Sequence, residues 1–231
     1  MNINPLIVPT FLLAAALFWL GVRLWPRIHS LAGRISAVAV ASLLAVPGLL
    51  FVIYYFHLFD SAAWFYRFRA AQYTELTAGA LGLLAGLLFA ALRSRPILKY
   101  LFSAGFALVL LIPYVKPIIR PLDFNSLEDR WNEGVCLQSS TSSCGPACAA
   151  TLLRLEGLEA SERELAHESY TYTGGTECWY LVRAMRRRGL DLDVVVDSPG
   201  ASPNFSPAIA GTRLVEPVSY THLTLPTKRI V

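Results

Sequence analysis

Acidic residues are nearly missing from the first half of the chain: residues 1–119 hold two, Asp60 and Glu75, against nine lysines and arginines. A water-soluble surface carries charge of both signs, so this half is not the outside of a soluble fold. Histidine is scarce too, with four in 231 residues. Cys144 and Cys148, with three residues between them, one distant cysteine and no well-spaced histidine, make a poor zinc ligand set. No metal and no cofactor is therefore expected. A Gly-x4-Gly-Lys-Ser/Thr phosphate loop is absent, which excludes an ATP site of that kind. Basic residues flank apolar runs and do not interleave with aromatics, so a pI near 9.0 carries no implication of nucleic acid.

What the first half does hold is apolar sequence. The chain is 55% hydrophobic with mean hydropathy +0.47. Four runs, at about residues 4–22, 35–56, 76–92 and 98–115, approach the ~20 residues that span a bilayer. The first is not a signal peptide, because no basic stretch precedes it and no small-residue cleavage site comes before Arg23. The third is short, and its Gly82 and Gly86 form a small-xxx-small pair suited to close helix packing. Arg23, Arg27 and Arg34 lie between the first two runs, and Arg93, Arg95 and Lys99 between the last two; the middle loop carries Arg67 and Arg69. The excess of positive charge predicts that both chain ends face away from the cytoplasm. Tyr54, Tyr55, Phe56, Trp64 and Tyr66 then form an interfacial belt on that side. The expected setting is a bilayer, the bacterial inner membrane, with the second half extracytoplasmic.

Residues 121–217 reverse the charge pattern, with fourteen acidic and eight basic residues. Pro113, Pro117 and Pro121 are expected to stop the last apolar run. Gly145-Pro146 opens a helix whose apolar face is 148, 152 and 155 and which Gly157 ends. "SERE" at 161–164 is a capping box for a short second helix. After "YTYTGGTE", Thr176 caps a third helix running through Arg188, and Gly189 ends it. "LDLDVVV" (190–196) and "PAIAGTRLV" (207–215) read as strands. Helices followed by strands predict an α+β domain. The expected organisation is an all-α anchor of four transmembrane helices at 1–120, a soluble domain at 121–217 and a non-native tail at 218–231.

The stretch "LQSSTSSCGPACAATLL" (137–153) carries the chemistry. A helix start stabilises a thiolate through its free N–H groups and dipole, which makes Cys144 a candidate nucleophile. Gln138, six residues upstream, is placed to donate to a developing oxyanion. Cys136, Cys148 and Cys178 remain; in an oxidising compartment any two of them could pair and leave Cys144 free.

This stretch resembles the nucleophile motif of the bacteriocin-processing, double-glycine-leader cysteine peptidases, a branch of the papain-like peptidases. The "SERELA" helix, the "YTGGT" loop and the helix from Thr176 to Arg188 continue the resemblance, which covers about 134–215. It implies a papain-like cysteine peptidase domain acting on a peptide or protein substrate. Cys144 would be the nucleophile and Gln138 the oxyanion donor, with a later histidine as general base, oriented by an Asp or Asn. The exporters of that family place this domain before their membrane helices and follow it with an ATPase; here the order is reversed.

None of the four histidines fills the base's place. His29 and His57 lie in the apolar half, and His167 lies in the second helix, where it reads as a surface residue. His222 belongs to "VSYTHLTLPTKRIV" (218–231), which reads like translated sequencing-adaptor DNA. The expectation is thus a peptidase domain cut short near Pro217, without its base and inactive as written. Two other functions fit the same fold: a peptide-binding module that does not cleave, and a thiol acyltransferase or transglutaminase-like enzyme.

Overall fold

A computed structural model of the chain describes residues 2–56, 58–59, 62–92, 95–195 and 209. They divide into two compact units. One comprises Ile3–Phe59 and Tyr73–Val115; the other comprises Met1–Asn2, Asp60–Gln72 and Lys116–Val231. Residues 116–120 join the second unit, and so does the stretch 60–72, which the sequence presents as a loop between apolar runs.

The apolar unit is built on α1 (Ile7–Leu24), α2 (Leu31–Val52), a 3-10 helix Thr74–Ala80 that runs into α4 (Leu81–Ala91), and α5 (Pro96–Leu111). The stretches Ile7–Arg27, Leu31–Val52, Thr74–Ala91 and Pro96–Ile119 are long and apolar enough to cross a bilayer. Pro113 and Pro117 do not stop the last of them. A 3-10 turn at Ile112–Tyr114 and α6 (Val115–Ile119) carry the helical path on, because each proline falls near the start of a short segment, where its missing N–H costs little. Glycine sets how closely the helices approach. A methyl group built on Gly82 would overlap the Ala14 carbonyl, and one on Gly86 the Phe18 carbonyl, so α1 and α4 touch backbone to backbone. Glu75, one of the two acids of this half, is fully buried and accepts a bond from Asn4 Nδ2 at 2.9 Å.

The second unit begins with α3 (Ala63–Ala70). Phe65 and Arg69 are buried; the Arg69 guanidinium lies 4.2 Å from the centre of the buried Trp179 ring, and the Arg69 carbonyl accepts from Arg183. Strands β1 (Arg130–Asn132) and β2 (Val135–Leu137) form an antiparallel hairpin in which Trp131 faces Cys136. Its two turn residues, Glu133 and Gly134, both have positive φ (47° and 85°), the geometry that a two-residue turn needs to follow the strand twist.

Three helices follow: α7 (Cys144–Leu155), α8 (Glu162–Glu168) and α9 (Cys178–Arg187). The core between them contains Ala149, Ala150, Leu153, Leu165, Ala184 and Met185, with Cys136 from the hairpin. Of the apolar face expected for α7, Leu152 is buried and Cys148 half-buried, but Leu155 is half exposed, and the buried face also takes in Ala149, Ala150 and Leu153. Gly157 (φ 74°) ends α7 as expected, with the Leu158 N–H reaching back to the Leu153 carbonyl. The capping box of α8 is present in both directions between Ser161 and Glu164. Helix α9 differs from its expected start. Glu177 is its N-cap and Thr176 does not cap it, because the Thr176 hydroxyl is hydrogen-bonded to that of Thr171 at 2.6 Å.

Residues 190–195 form no strand. The Leu192 carbonyl that a ladder would use is held by the Arg186 guanidinium, and Asp193 pairs with Arg67. The expected strand at 207–215 and the tail at 218–231 lie outside the described residues, Ile209 excepted. The two-stranded hairpin is the sheet present among the described residues.

Candidate active site

Helix α7 starts at Cys144 itself, with Ser143 as N-cap. The first turn is Cys-Gly-Pro. Pro146, its third residue, has no N–H to satisfy, which suits a position where helical donors lack partners. Gly145 faces α9 closely: a Cβ there would lie 3.3 Å from Leu181 Cδ2 and 3.6 Å from Thr176 Cβ. The Ser143 side chain does not cap the helix. Its hydroxyl donates to the Ser140 carbonyl at 2.9 Å and accepts from the Ser140 N–H at 3.0 Å. Cys144 is exposed at this uncapped helix start.

Ser140 organises the approach to the thiol. Its carbonyl accepts from the Ser143 hydroxyl, from the Ser143 N–H at 3.2 Å and from Gln138 Nε2 at 3.0 Å. One carbonyl thus holds both the half-buried glutamine and the residue immediately before the cysteine. The loop is fixed from two further directions. The Gly174 N–H donates to Ser142 Oγ at 3.0 Å, tying in the tight turn in which Tyr172 and Gly175 exchange backbone bonds. Gly174 and Gly175 have φ of 129° and 133°, a region that side chains rarely enter, which explains the Gly-Gly pair. On the other side, Ser139 donates both its N–H (3.0 Å) and its hydroxyl (2.6 Å) to the carboxylate of Glu162, a fully buried residue.

The hairpin is joined to α7 by Thr151, whose hydroxyl accepts from the Cys136 N–H at 2.9 Å and donates to the Ala147 carbonyl at 3.0 Å. The remaining cysteines have other surroundings. Burial, reinforced by Glu162, Asp129 and Cys148, pushes the Cys136 thiol up to about 12. Burial also raises Cys148, with Cys144 adding to the effect. Cys178 is raised to about 12 by desolvation and by Glu177 next to it, although the residue has exposed surface. All four cysteines are free thiols. Among the described residues no group of three or more His, Cys, Asp or Glu side chains is placed to hold a metal ion.

Of the residues expected in the site, Cys144 and Gln138 stand at opposite ends of one knitted loop. His167 packs its ring edge-on against Phe124, and His29 belongs to the apolar unit. His57 and His222 lie outside the described residues. Sequence reasoning missed Ser139, Ser140 and Glu162. The serines look interchangeable in "SSTSS", and Glu162 looks like part of a capping motif whose other glutamate does the capping.

An exposed thiol opening a helix, approached by a glutamine-bearing loop and backed by a small hairpin, is an arrangement that can support nucleophilic thiol chemistry. Residues 132–210 match the Peptidase C39 family, a match over the stretch that carries the motif. The chain is also similar to an uncharacterized protein of Methanothermobacter thermautotrophicus, 41% identical over 59 residues, which are 26% of this chain and 42% of that protein. A second uncharacterized protein, of Methanothermobacter marburgensis, is 42% identical with the same coverage. The chain spans less than half the length of these relatives. No solved structure matches it.

Proposed function

We propose that the chain is a membrane-anchored cysteine peptidase in which Cys144 attacks the scissile carbonyl and Gln138 donates to the resulting oxyanion. The observation that carries this reading is the placement of an exposed Cys144 as first residue of α7, inside the segment that matches Peptidase C39. In the reaction the sulfur forms a bond to the carbonyl carbon and the carbonyl oxygen becomes an oxyanion. Its collapse breaks the C–N bond, and water then hydrolyses the thioester. The N–H of Cys144, first residue of α7, is among the helix-start donors that have no intrahelical acceptor, which favours a donor role for it. Gln138 uses Nε2 to grip Ser140, and its second amide N–H is the one assigned to the oxyanion. A histidine is required as base and as acid for the leaving amine; His57 and His222 are outside the described residues, and neither His29 nor His167 shares an element with the thiol.

The setting we propose is the bacterial inner membrane, with the thiol unit extracytoplasmic. Four apolar helices, Ile7–Arg27, Leu31–Val52, Thr74–Ala91 and Pro96–Ile119, support membrane anchoring. The arginine asymmetry supports the outer side.

The reading is tested by treating the full chain in membranes with a peptide-linked thiol electrophile and locating the adduct by mass spectrometry. Modification is expected on Cys144 and lost in Cys144→Ser. Modification elsewhere, or equal modification of all four cysteines, overturns the reading. A membrane-impermeant version applied to spheroplasts tests the side.

A further inference from the structure

We propose that Glu162 is a positioning residue for this reaction, holding the strand end that carries Gln138 and so aiming the oxyanion donor. The proposal rests on the peptidase reading and adds a residue that the motif does not contain. Glu162 is fully buried although it sits in the first turn of α8, where solvated carboxylates are common. The helix does not need it as a cap, since Ser161 and Glu164 complete the capping box between themselves. A buried carboxylate is costly unless its oxygens receive hydrogen bonds.

Both oxygens of Glu162 receive theirs from one residue. Ser139 N–H reaches Oε1 at 3.0 Å and Ser139 Oγ reaches Oε2 at 2.6 Å. A single bond would let the backbone pivot; two bonds from one residue fix its position and its rotation. The Ser139 nitrogen belongs to the peptide that joins it to Gln138, so the plane of that peptide is set as well. The grip is closed into a ring: the Glu162 N–H donates to Asp129 Oδ1 at 2.8 Å, and the Glu128 N–H donates to Ser139 Oγ at 3.0 Å. Gln138 is thus held at its backbone by α8 and at its amide by Ser140.

The test separates aiming from folding by comparing two reactions of the same thiol. Addition of Cys144 to a peptide aldehyde forms a C–S bond and places negative charge on the former carbonyl oxygen, which takes up the thiol's proton. Alkylation by iodoacetamide displaces iodide and puts no charge on such an oxygen. In the full chain, Gln138→Ala is expected to lower aldehyde affinity about 100-fold, the size of a lost oxyanion donor. Glu162→Gln keeps the side chain's shape but turns an amide N–H toward a donor. It should lower aldehyde affinity about tenfold, with the iodoacetamide rate within about twofold of the parent. In the Gln138→Ala background Glu162→Gln should add less than about twofold, because both act through one donor.

Ser139→Ala, which keeps the backbone bond to Glu162, should show the same split at about threefold; it decides the matter if Glu162→Gln does not fold. Unchanged aldehyde affinity, a proportional fall in both reactions, or full additivity with Gln138→Ala overturns the proposal. A parent chain whose Cys144 does not bind the aldehyde overturns the peptidase reading and this inference with it. A parent that binds while Glu162→Gln binds equally well overturns this inference alone.

Discussion

The two units of this chain are built inside out with respect to each other. In the apolar unit small residues, Thr10, Ala14, Ala41, Ala45 and Ala78, share the interior with Phe51, Leu87 and Tyr114, while Leu43, Ile97 and Tyr100 are each more than 70% exposed. In the thiol unit the interior holds Trp179, Tyr180, Leu153 and Leu165, and the charged residues lie mostly outside. Where large apolar side chains gain nothing by leaving their surroundings, as in lipid, helices associate through close backbone approach and small residues mediate it. Where the surroundings are water, burying large apolar surface is the main driving force. Each unit also buries polar groups on its own terms: the Asn4–Glu75 and Tyr114–Thr10 pairs in the first, and a serine–carboxylate network in the second.

The comparison can be broken most decisively at the thiols. At pH 8 a group titrating near 12 is ionised to roughly 1 part in 10⁴, so Cys136 should resist iodoacetamide long after Cys144 is consumed. Cys144→Ser should remove the fast phase entirely while leaving the slow ones, as followed by mass spectrometry over time. Packing in the apolar unit comes next. Gly82→Leu drives a side chain into the Ala14 carbonyl, and because backbone cannot move aside the cost should be about 3 kcal/mol or more. A lowered melting temperature in detergent, together with a much smaller effect of the same substitution at the open Gly105, would bear this out.

In the thiol unit the corresponding damage comes from removal. Arg69→Ala deletes a desolvated guanidinium stacked on Trp179 and should cost about 2 kcal/mol, read in a chemical denaturation curve. The smallest effect belongs to the α8 cap: Ser161→Ala should cost about 1 kcal/mol. Bonding to the Ser161 N–H, with Arg188 nearby, holds the Glu164 carboxyl below its usual range. Its contribution is therefore present above the unfolded carboxylate value and is lost as pH falls through the lower folded value. Ser161→Ala keeps that N–H and should leave the acid limb of the stability profile in place, whereas Glu164→Gln, which removes the ionisable group, should flatten it; an unchanged limb in Glu164→Gln would count against the assignment.

Much of this was legible beforehand because the signals are local. Four apolar runs, the Gly82/Gly86 pair, the capping box and the glycine stops at 157 and 189 each follow from a few neighbouring residues. The errors lie where a residue's partner is distant. The Thr176 hydroxyl turns to Thr171, the buried face of α7 takes in Ala149, Ala150 and Leu153, and 190–195 give their groups to Arg186 and Arg67. The largest omission is α3. "AWFYRFRA" lies between apolar runs and carries interfacial aromatics, and nothing within it announces that Phe65 and Arg69 are core residues of another unit.

Sequence alone determined which half is apolar, where the stretch that matches Peptidase C39 lies and which helix presents Cys144, because composition and helix-start chemistry act over a few residues. Tertiary structure decided that Ser139 belongs to Glu162, that Ser140 holds Gln138 and Ser143 together, and that α3 completes the thiol unit. Those choices depend on which donors and acceptors are brought within about 3 Å by folding, and linear order does not encode that distance.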